Sequence, residues 1–305
     1  LIVNRNAYPF FSALASKTRL QIIELLGTQP MNIKELAAEL NLSSAIVAKH
    51  VKILEKGGII KCKNMPGARG LQKKSSLIHE GFALNFEQER DLSTINVIDL
   101  PIGQYTDWQV QPTCGLVTRQ SYLGYQDDVR CFADPNRCNV GCLWLGHGYL
   151  EYVVPNYLNG SQKLSEIRIQ MEICSEAPGY DAVWPSDIFY SLNGVELGFW
   201  TCPGDFGDKP GLYSPAWYAK GNCTQYGQLK QITVNQQGSF IDGIRMSDIK
   251  LSDLNIDRQQ IFRFRISSPE DAENPRGFTL FGKGFGNYDQ NIIFTMISDK
   301  KEKQK

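Results

Sequence analysis

The sequence predicts an α+β protein of two parts, a small helical domain followed by a larger antiparallel β domain. Three observations predict it. Helical periodicity runs from about residue 8 to 58 and then stops, and period-two alternation takes over beyond about residue 82. Charge divides along the same line: residues 1–80 hold 12 Lys and Arg against 5 Asp and Glu, while the rest holds 20 against 27. The net charge of zero is thus only an average over 305 residues. A basic small half on a mildly acidic large half suggests that the first alone meets a polyanion.

Leu14, Leu20, Ile23, Leu25 and Leu26 recur at helix spacing, and Gly27 with Pro30 supplies a stop. Asn32 is placed to cap a short helix, IKELAAEL, with Ile33, Leu36, Ala37 and Leu40 on one face. Ser43 caps a third helix, SAIVAKHVKILEKG, whose buried stripe is Val47, Val51 and Leu54, and Gly57-Gly58 ends it. Two short alternating segments, IIKCKN and LQKKSSLI, then flank the turn PGARG, which reads as a β-hairpin. Helix, turn, helix and hairpin in this order make a winged helix-turn-helix, in which the second helix of the pair lies in a DNA major groove and the hairpin sets cations against phosphate. The charges fit those tasks. Lys61, Lys63, Arg69, Lys73 and Lys74 all fall in the hairpin, and the helix before it exposes Lys49, His50 and Lys52.

The larger part reads as a β-sandwich of the jelly-roll kind. In IRIQMEI, Ile167, Ile169, Met171 and Ile173 oppose Arg168, Gln170 and Glu172; in IFRFRI, Phe262, Phe264 and Ile266 oppose Arg263 and Arg265. DIFYSLNGVELGFW places Asn193-Gly194 between two alternating runs, a strong hairpin signal. The expected boundaries are 1–80 for the winged helix, 81–100 for a strand-bearing connector, 101–298 for the β-sandwich and 299–305 for a charged disordered tail. The composition, 42% hydrophobic and 21% charged, is that of a globular protein, and no apolar run is long enough to span a bilayer. The first residues, LIVNRNAYPFF, are short and polar-interrupted and make a poor secretory signal, so a cytoplasmic location with reduced cysteines is expected.

The segments ALASKTRLQIIELLG and IKELAAELNLSSAIVAKHVKILEKGGII resemble the ArsR family of bacterial winged-helix repressors, over about residues 12–62. The resemblance implies operator binding as a homodimer. Ser43, Ser44, Ala45, Ile46, Lys49 and His50 would meet the DNA and Arg69 would stand at the wing tip, with Ser43 a helix cap first. Metal-sensing members carry cysteine in the helix that is IKELAAEL here, and this helix has neither Cys nor His, so that metal site is absent. Many members also end in a dimerising helix after the wing, whereas this chain turns to strands. Segments such as DPNRCNVGCLWLGHGYLEY and FGKGFGNYDQ resemble the β-rich domain appended to some ArsR-like regulators of Gram-positive bacteria, which implies no particular ligand.

Four tryptophans, 108, 184, 200 and 217, stand beside polar residues outside obvious strand cores. Flat rings beside carboxylates and amides suit sugars, whose C–H faces stack while their hydroxyls need donors and acceptors. The effector candidates are accordingly Trp184, Asp187, Trp200, Asp205, Trp217, Gln225, Tyr226, Asn287 and Tyr288, with capping of the core as the plainer use of such loop aromatics. Cys131, Cys138, Cys142 and His147 have zinc-binding types at spacings that match no common zinc motif, and Cys142 with Trp144 suits ordinary core. No metal and no cofactor is expected. The glycines of FGKGFGN precede no helix, which argues against a dinucleotide site and for a tight approach between strands. The expectation is a non-enzymatic, ligand-responsive regulator binding double-stranded operator DNA, with a saccharide or similar polyhydroxylated metabolite as the suggested effector. The alternative is a carbohydrate-active enzyme or lectin with a vestigial helical domain, for which Glu176, Asp181 and Asp187 supply carboxylates.

Overall fold

A computed structural model describes residues 3, 5–67, 70–78, 95–158, 162–256 and 261–300. The chain divides into two compact units, 1–90 and 91–305.

The first unit opens with α1 (Tyr8–Leu14) and α2 (Lys17–Thr28). The sequence suggests unbroken helix here, but the chain breaks at Ala15–Ser16, where Ser16 adopts extended backbone. Arg19 explains how the break is stabilised. Its guanidinium reaches back from α2 and donates to the carbonyls of Ala13 at 2.6 Å and Ser12 at 2.8 Å, satisfying groups that the end of α1 leaves open. Gly27 lies inside the last turn of α2 and does not stop it. The stop is Gln29, which is extended because it precedes Pro30.

After the short strand β1 (Met31–Asn32), α3 (Ile33–Glu39) begins with a full capping box. Asn32 Oδ1 accepts the Lys34 and Glu35 amides at 2.8 and 2.9 Å, while Glu35 Oε2 accepts the Asn32 amide at 2.7 Å. Asn41 turns the chain at φ +52° toward α4 (Ser44–Lys56). β2 (Ile60–Gly67) and β3 (Gly70–Leu77) then pair antiparallel as the expected hairpin, and β1 joins the outer edge of β3. Phe10, Ile22, Leu26, Leu36, Val47, Val51 and Leu54 close the core.

Among the described residues the second unit contains twelve strands, all paired antiparallel: β4 (Ile95–Leu100), β5 (Asp107–Thr118), β6 (Val140–Pro155), β7 (Gln162–Cys174), β8 (Ser186–Leu192), β9 (Val195–Cys202), β10 (Gln228–Asn235), β11 (Gly238–Ile241), β12 (Ile244–Ser247), β13 (Ile261–Ser268), β14 (Phe278–Phe281) and β15 (Ile292–Lys300). Neighbours run β12-β11-β10-β7-β14-β6-β13-β8-β9, with β15 added beside β7, β4 beside β15 and β5 beside β6. The long strands change partners along their length. One edge of β6 pairs first with β14 and then with β13, and one edge of β7 pairs first with β15 and then with β14. The sheet therefore folds over on itself. Phe262 of β13 meets Phe294 of β15 across the core with ring centroids 5.4 Å apart. The Ser247 hydroxyl of β12 donates to the Leu197 carbonyl of β9 at 2.7 Å, which brings the two ends of the strand order together.

Period-two alternation holds where it is expected. Ile167, Ile169, Met171, Ile173, Phe262, Phe264 and Ile266 are all fully buried. Asn193 and Gly194 both take positive φ in the β8–β9 turn, which only such residues accept readily. Three expectations change. Trp108 and Trp200 lie within β5 and β9 rather than in loops. Asp299 and Lys300 extend β15, pairing with Lys163 and Gln162 of β7, so the ordered chain passes 298 before the tail at 301–305, which lies outside the described residues. Of the connector, 95–100 is the strand β4, and 81–94 lies outside the described residues.

Candidate functional sites

Two surfaces stand out, one in each unit. On α4, the Ser43 hydroxyl accepts the Ile46 amide at 3.4 Å and its carbonyl accepts the Ile46 and Val47 amides, which fixes the start of the helix. Val47, Val51 and Leu54 are buried at i, i+4 and i+7. The outward stripe is therefore Ser44, Ala45, Ile46, Lys49 and Lys52, all exposed, with Ile46 at 47% exposure despite its apolar side chain. On the hairpin, Lys61, Lys63 and Lys73 are exposed. None of Lys49, Lys52, Lys61, Lys63 or Lys73 forms an ion pair among the described residues, whereas Lys74 lies 3.7 Å from Glu35. Arg69 lies outside the described residues.

His50 differs from its neighbours. It is half-buried, and its Nδ1 is buried with no hydrogen-bond partner among the described residues. Burial first, then the charges of Arg19 and Lys49, lower its pKa, so the ring on this otherwise cationic surface is held neutral.

A short helix, a tight turn, a capped helix with a polar outward stripe and a cationic hairpin together define a winged helix-turn-helix. Residues 16–61, from the cap of α2 into β2, match the family described as bacterial regulatory protein, arsR family. The N-terminal unit is thus an ArsR-family helix-turn-helix, and the chain is a DNA-binding transcriptional regulator with a large β-rich region appended. A search of curated proteins finds no match to it. Among the described residues, no helix is long and apolar enough to cross a membrane.

In the β-rich unit, the sequence candidates separate into distinct places, and most of their polar atoms are engaged internally. Asp187 accepts from the Thr201 hydroxyl at 2.7 Å and the Asn274 amide at 2.9 Å, tying β8 to β9 and to the loop before β14. Arg276 covers the Trp184 ring at 4.2 Å, and Lys230 covers Trp200 at 4.3 Å. Tyr226 stacks on Phe206 and donates to Asp208 at 2.6 Å. Trp217 donates from Nε1 to the Arg119 carbonyl at 2.8 Å. The Asn287 and Tyr288 amides both donate to Glu172, a fully buried carboxylate that also accepts the Gly227 amide at 2.9 Å. The glycine run before Asn287 serves this contact: a Cβ on Gly286 would fall 2.4 Å from the Glu172 oxygens.

Asp205 and Gln225 lie behind a cleft of about 280 Å3 that sequence spacing could not reveal. Tyr122, Trp144 and Tyr218 supply its aromatic wall; Thr113, Gln126, Asp127, Glu176, Asn222 and Thr224 supply polar groups. Tyr122 meets Trp144 edge-on at 6.4 Å and Tyr218 at 6.5 Å. The Glu176 carboxyl is buried and accepts the Thr113 and Thr279 hydroxyls at 3.0 and 2.8 Å. Burial, followed by the nearby charge of Asp205, pushes its pKa well above the ordinary carboxylate range. Asp205, fully buried, accepts the Ala177 amide at 2.9 Å and the Thr224 hydroxyl at 2.8 Å, and so joins two loops that line the cleft. Its burial raises it to about 7 against those two bonds. These lining residues span 113 to 224, so only the folded sheet brings them together.

Cys131, Cys138, Cys142 and His147 take separate positions. The Cys131 thiol donates to the Tyr125 carbonyl, Cys138 is exposed, and Cys142 is buried beside the Tyr218 hydroxyl. His147 lies on β6, with Nδ1 buried. Among the described residues no group of three His, Cys, Asp or Glu is arranged to hold a metal ion.

Proposed function

We propose that this chain is a ligand-responsive regulator that binds double-stranded operator DNA as a homodimer, and that its β-rich unit holds a small polyhydroxylated effector and performs no catalysis. The observation that carries the DNA half is the outward stripe of α4 together with a hairpin whose Lys61, Lys63 and Lys73 are exposed and form no ion pair among the described residues. Ser44, Ala45 and Lys49 are positioned to read base edges, Ile46 to meet a thymine methyl, and Lys52, Lys61, Lys63 and Lys73 to meet phosphates. Two copies are needed because one short helix reads too few base pairs, and a two-fold dimer places a second helix one turn along the duplex. The effector acts by preferring one of two dimer geometries, since equal affinity for both would shift nothing; a coupling of about 1–3 kcal/mol would change operator affinity about 5–150-fold.

Selection of bound fragments from genomic DNA, followed by size-exclusion measurement of the complex, tests this reading. It expects enrichment of a pseudo-palindrome with half-sites one helical turn apart. Lys49→Ala should alter the preferred half-site, and Lys73→Ala should weaken all sites alike. Unselective recovery of fragments with a one-to-one complex would contradict it. The pairing of Glu176 and Asp127 in an aromatic cleft favours a second reading, a carbohydrate-active enzyme or lectin. Hydrolysis of aryl glycosides, lost in Glu176→Gln, would establish the enzyme in place of the regulator's sensor.

A further inference from the structure

The cleft lined by Tyr122, Trp144, Tyr218 and Glu176 has a composition that narrows its ligand. Among the described residues it is lined by no Lys, Arg or His, so an anion would meet carboxyl groups and no cation there. Its two carboxyl groups are Glu176, which burial raises well above the ordinary carboxylate range, and Asp127. Asp127 is fixed by a reciprocal pair with Cys114: its Oδ1 accepts the Cys114 amide at 2.8 Å and its own amide donates to the Cys114 carbonyl at 2.7 Å. Its Oδ2 takes part in none of these bonds.

Three rings with hydroxyl, amide and carboxyl groups offer an apolar wall beside both donors and acceptors. That is the requirement of a ligand with C–H faces and many hydroxyls, whose buried polar groups must all be paired. The volume, about 280 Å3, lies just below the roughly 300–1,000 Å3 usual for small-molecule sites. That volume suits a single ring. The loops are braced from behind, since Asp205 holds Ala177 and Thr224 together, so the site is preformed.

We propose that this cleft is the effector site and takes one neutral polyhydroxylated ring, a monosaccharide or cyclitol, stacked on the Tyr122, Trp144 and Tyr218 wall with hydroxyls on Glu176, Asp127 and Asn222. The proposal rests on the reading of the β-rich unit as a sensor, and it moves the ligand away from Trp184 and Trp200, whose rings already carry Arg276 and Lys230.

The test is calorimetric titration of the full chain with D-glucose, D-galactose, D-mannose, N-acetyl-D-glucosamine and myo-inositol, and with putrescine and inorganic phosphate as charged probes. At least one polyol should bind with a dissociation constant of about micromolar to millimolar, as a reversible sensor needs. Tyr122→Ala, at a position exposed enough to spare the fold, should weaken that binding tenfold or more, and Glu176→Gln should also weaken it. Ile244→Ser, an exposed change on β12, should leave it unchanged. Binding of putrescine or phosphate alone, binding of none of the probes, or polyol binding lost in Trp200→Ala but kept in Tyr122→Ala would overturn the assignment. Anisotropy of operator DNA in the same samples separates the two readings. Polyol binding at the cleft with operator affinity unmoved would keep the site and remove the sensor, while intact operator binding with no polyol bound would remove the site and keep the regulator.

Discussion

The two units use charge in opposite ways. In the helical unit Lys49, Lys52, Lys61, Lys63 and Lys73 are exposed and form no ion pair among the described residues; in the β-rich unit Glu172, Glu176, Asp187 and Asp205 are turned inward. Each of these carboxyls accepts backbone or hydroxyl donors from segments far apart in sequence. Exposed cations contribute little to folding and much to meeting a polyanion. Buried carboxyls do the reverse, fastening loops that strands alone would leave loose. The interface of the first unit should therefore tolerate substitution without loss of fold, and truncating the carboxyls of the second to Ala should cost stability.

The largest effect expected from this contrast is at Glu172. Glu172→Ala removes the carboxylate that accepts the amides of Gly227, Asn287 and Tyr288, and with a lost buried acceptor costing about 1–3 kcal/mol the loss should be on the order of 3 kcal/mol. Urea unfolding measures it. A cost no larger than that of a surface change would mean that the inward carboxyls are incidental. Next comes Leu54→Ala, a fully buried truncation under α4, expected to cost about 2–5 kcal/mol in the same measurement. Ser43→Ala, which removes the cap of α4, should cost about 1 kcal/mol. Lys63→Ala should fall within about 0.5 kcal/mol of the parent while still weakening DNA binding.

Asp205 offers a test by pH. Its folded pKa, about 7, lies above its ordinary 3.8, so the folded chain binds the proton more tightly than the unfolded one. The stabilisation is fully present below about 4 and is lost as pH rises through about 7. Glu176, Asp181, Cys174 and Cys223 are the titratable groups coupled to it. The melting temperature should fall between pH 5 and pH 8. Asp205→Asn should flatten that fall, and an unchanged slope in the variant would assign the dependence elsewhere.

The helical unit was legible nearly residue by residue, because its signals are local. Asn32 and Ser43 cap the helices that follow them within three residues, and the buried stripe of α4 repeats at helical spacing. What escaped was the break at Ala15–Ser16, since the Arg19 side chain that stabilises it acts across the turn. In the β-rich unit the alternation of β7 and β13 was legible, but strand order and site were not. Glu172 read as an outward residue by alternation, yet the loops at 227 and 287 fold over it. Aromatic residues beside carboxylates drew attention to Trp184 and Trp200, while the cleft assembles Tyr122, Trp144, Glu176 and Tyr218 from four separate segments. No spacing in the sequence records that convergence.

The outward cations of α4 and the hairpin are expected to hold DNA, and salt titration of duplex binding is the sharpest check of that role. Fluorescence anisotropy of the full chain on an operator duplex should show the logarithm of affinity falling linearly with the logarithm of salt concentration. Lys49→Ala and Lys73→Ala should each reduce the steepness of that line by about 0.9 if the residue meets one phosphate, with Lys49 also altering sequence preference if it meets a base. Absence of duplex binding at low salt, or a slope that neither variant changes, would contradict the account.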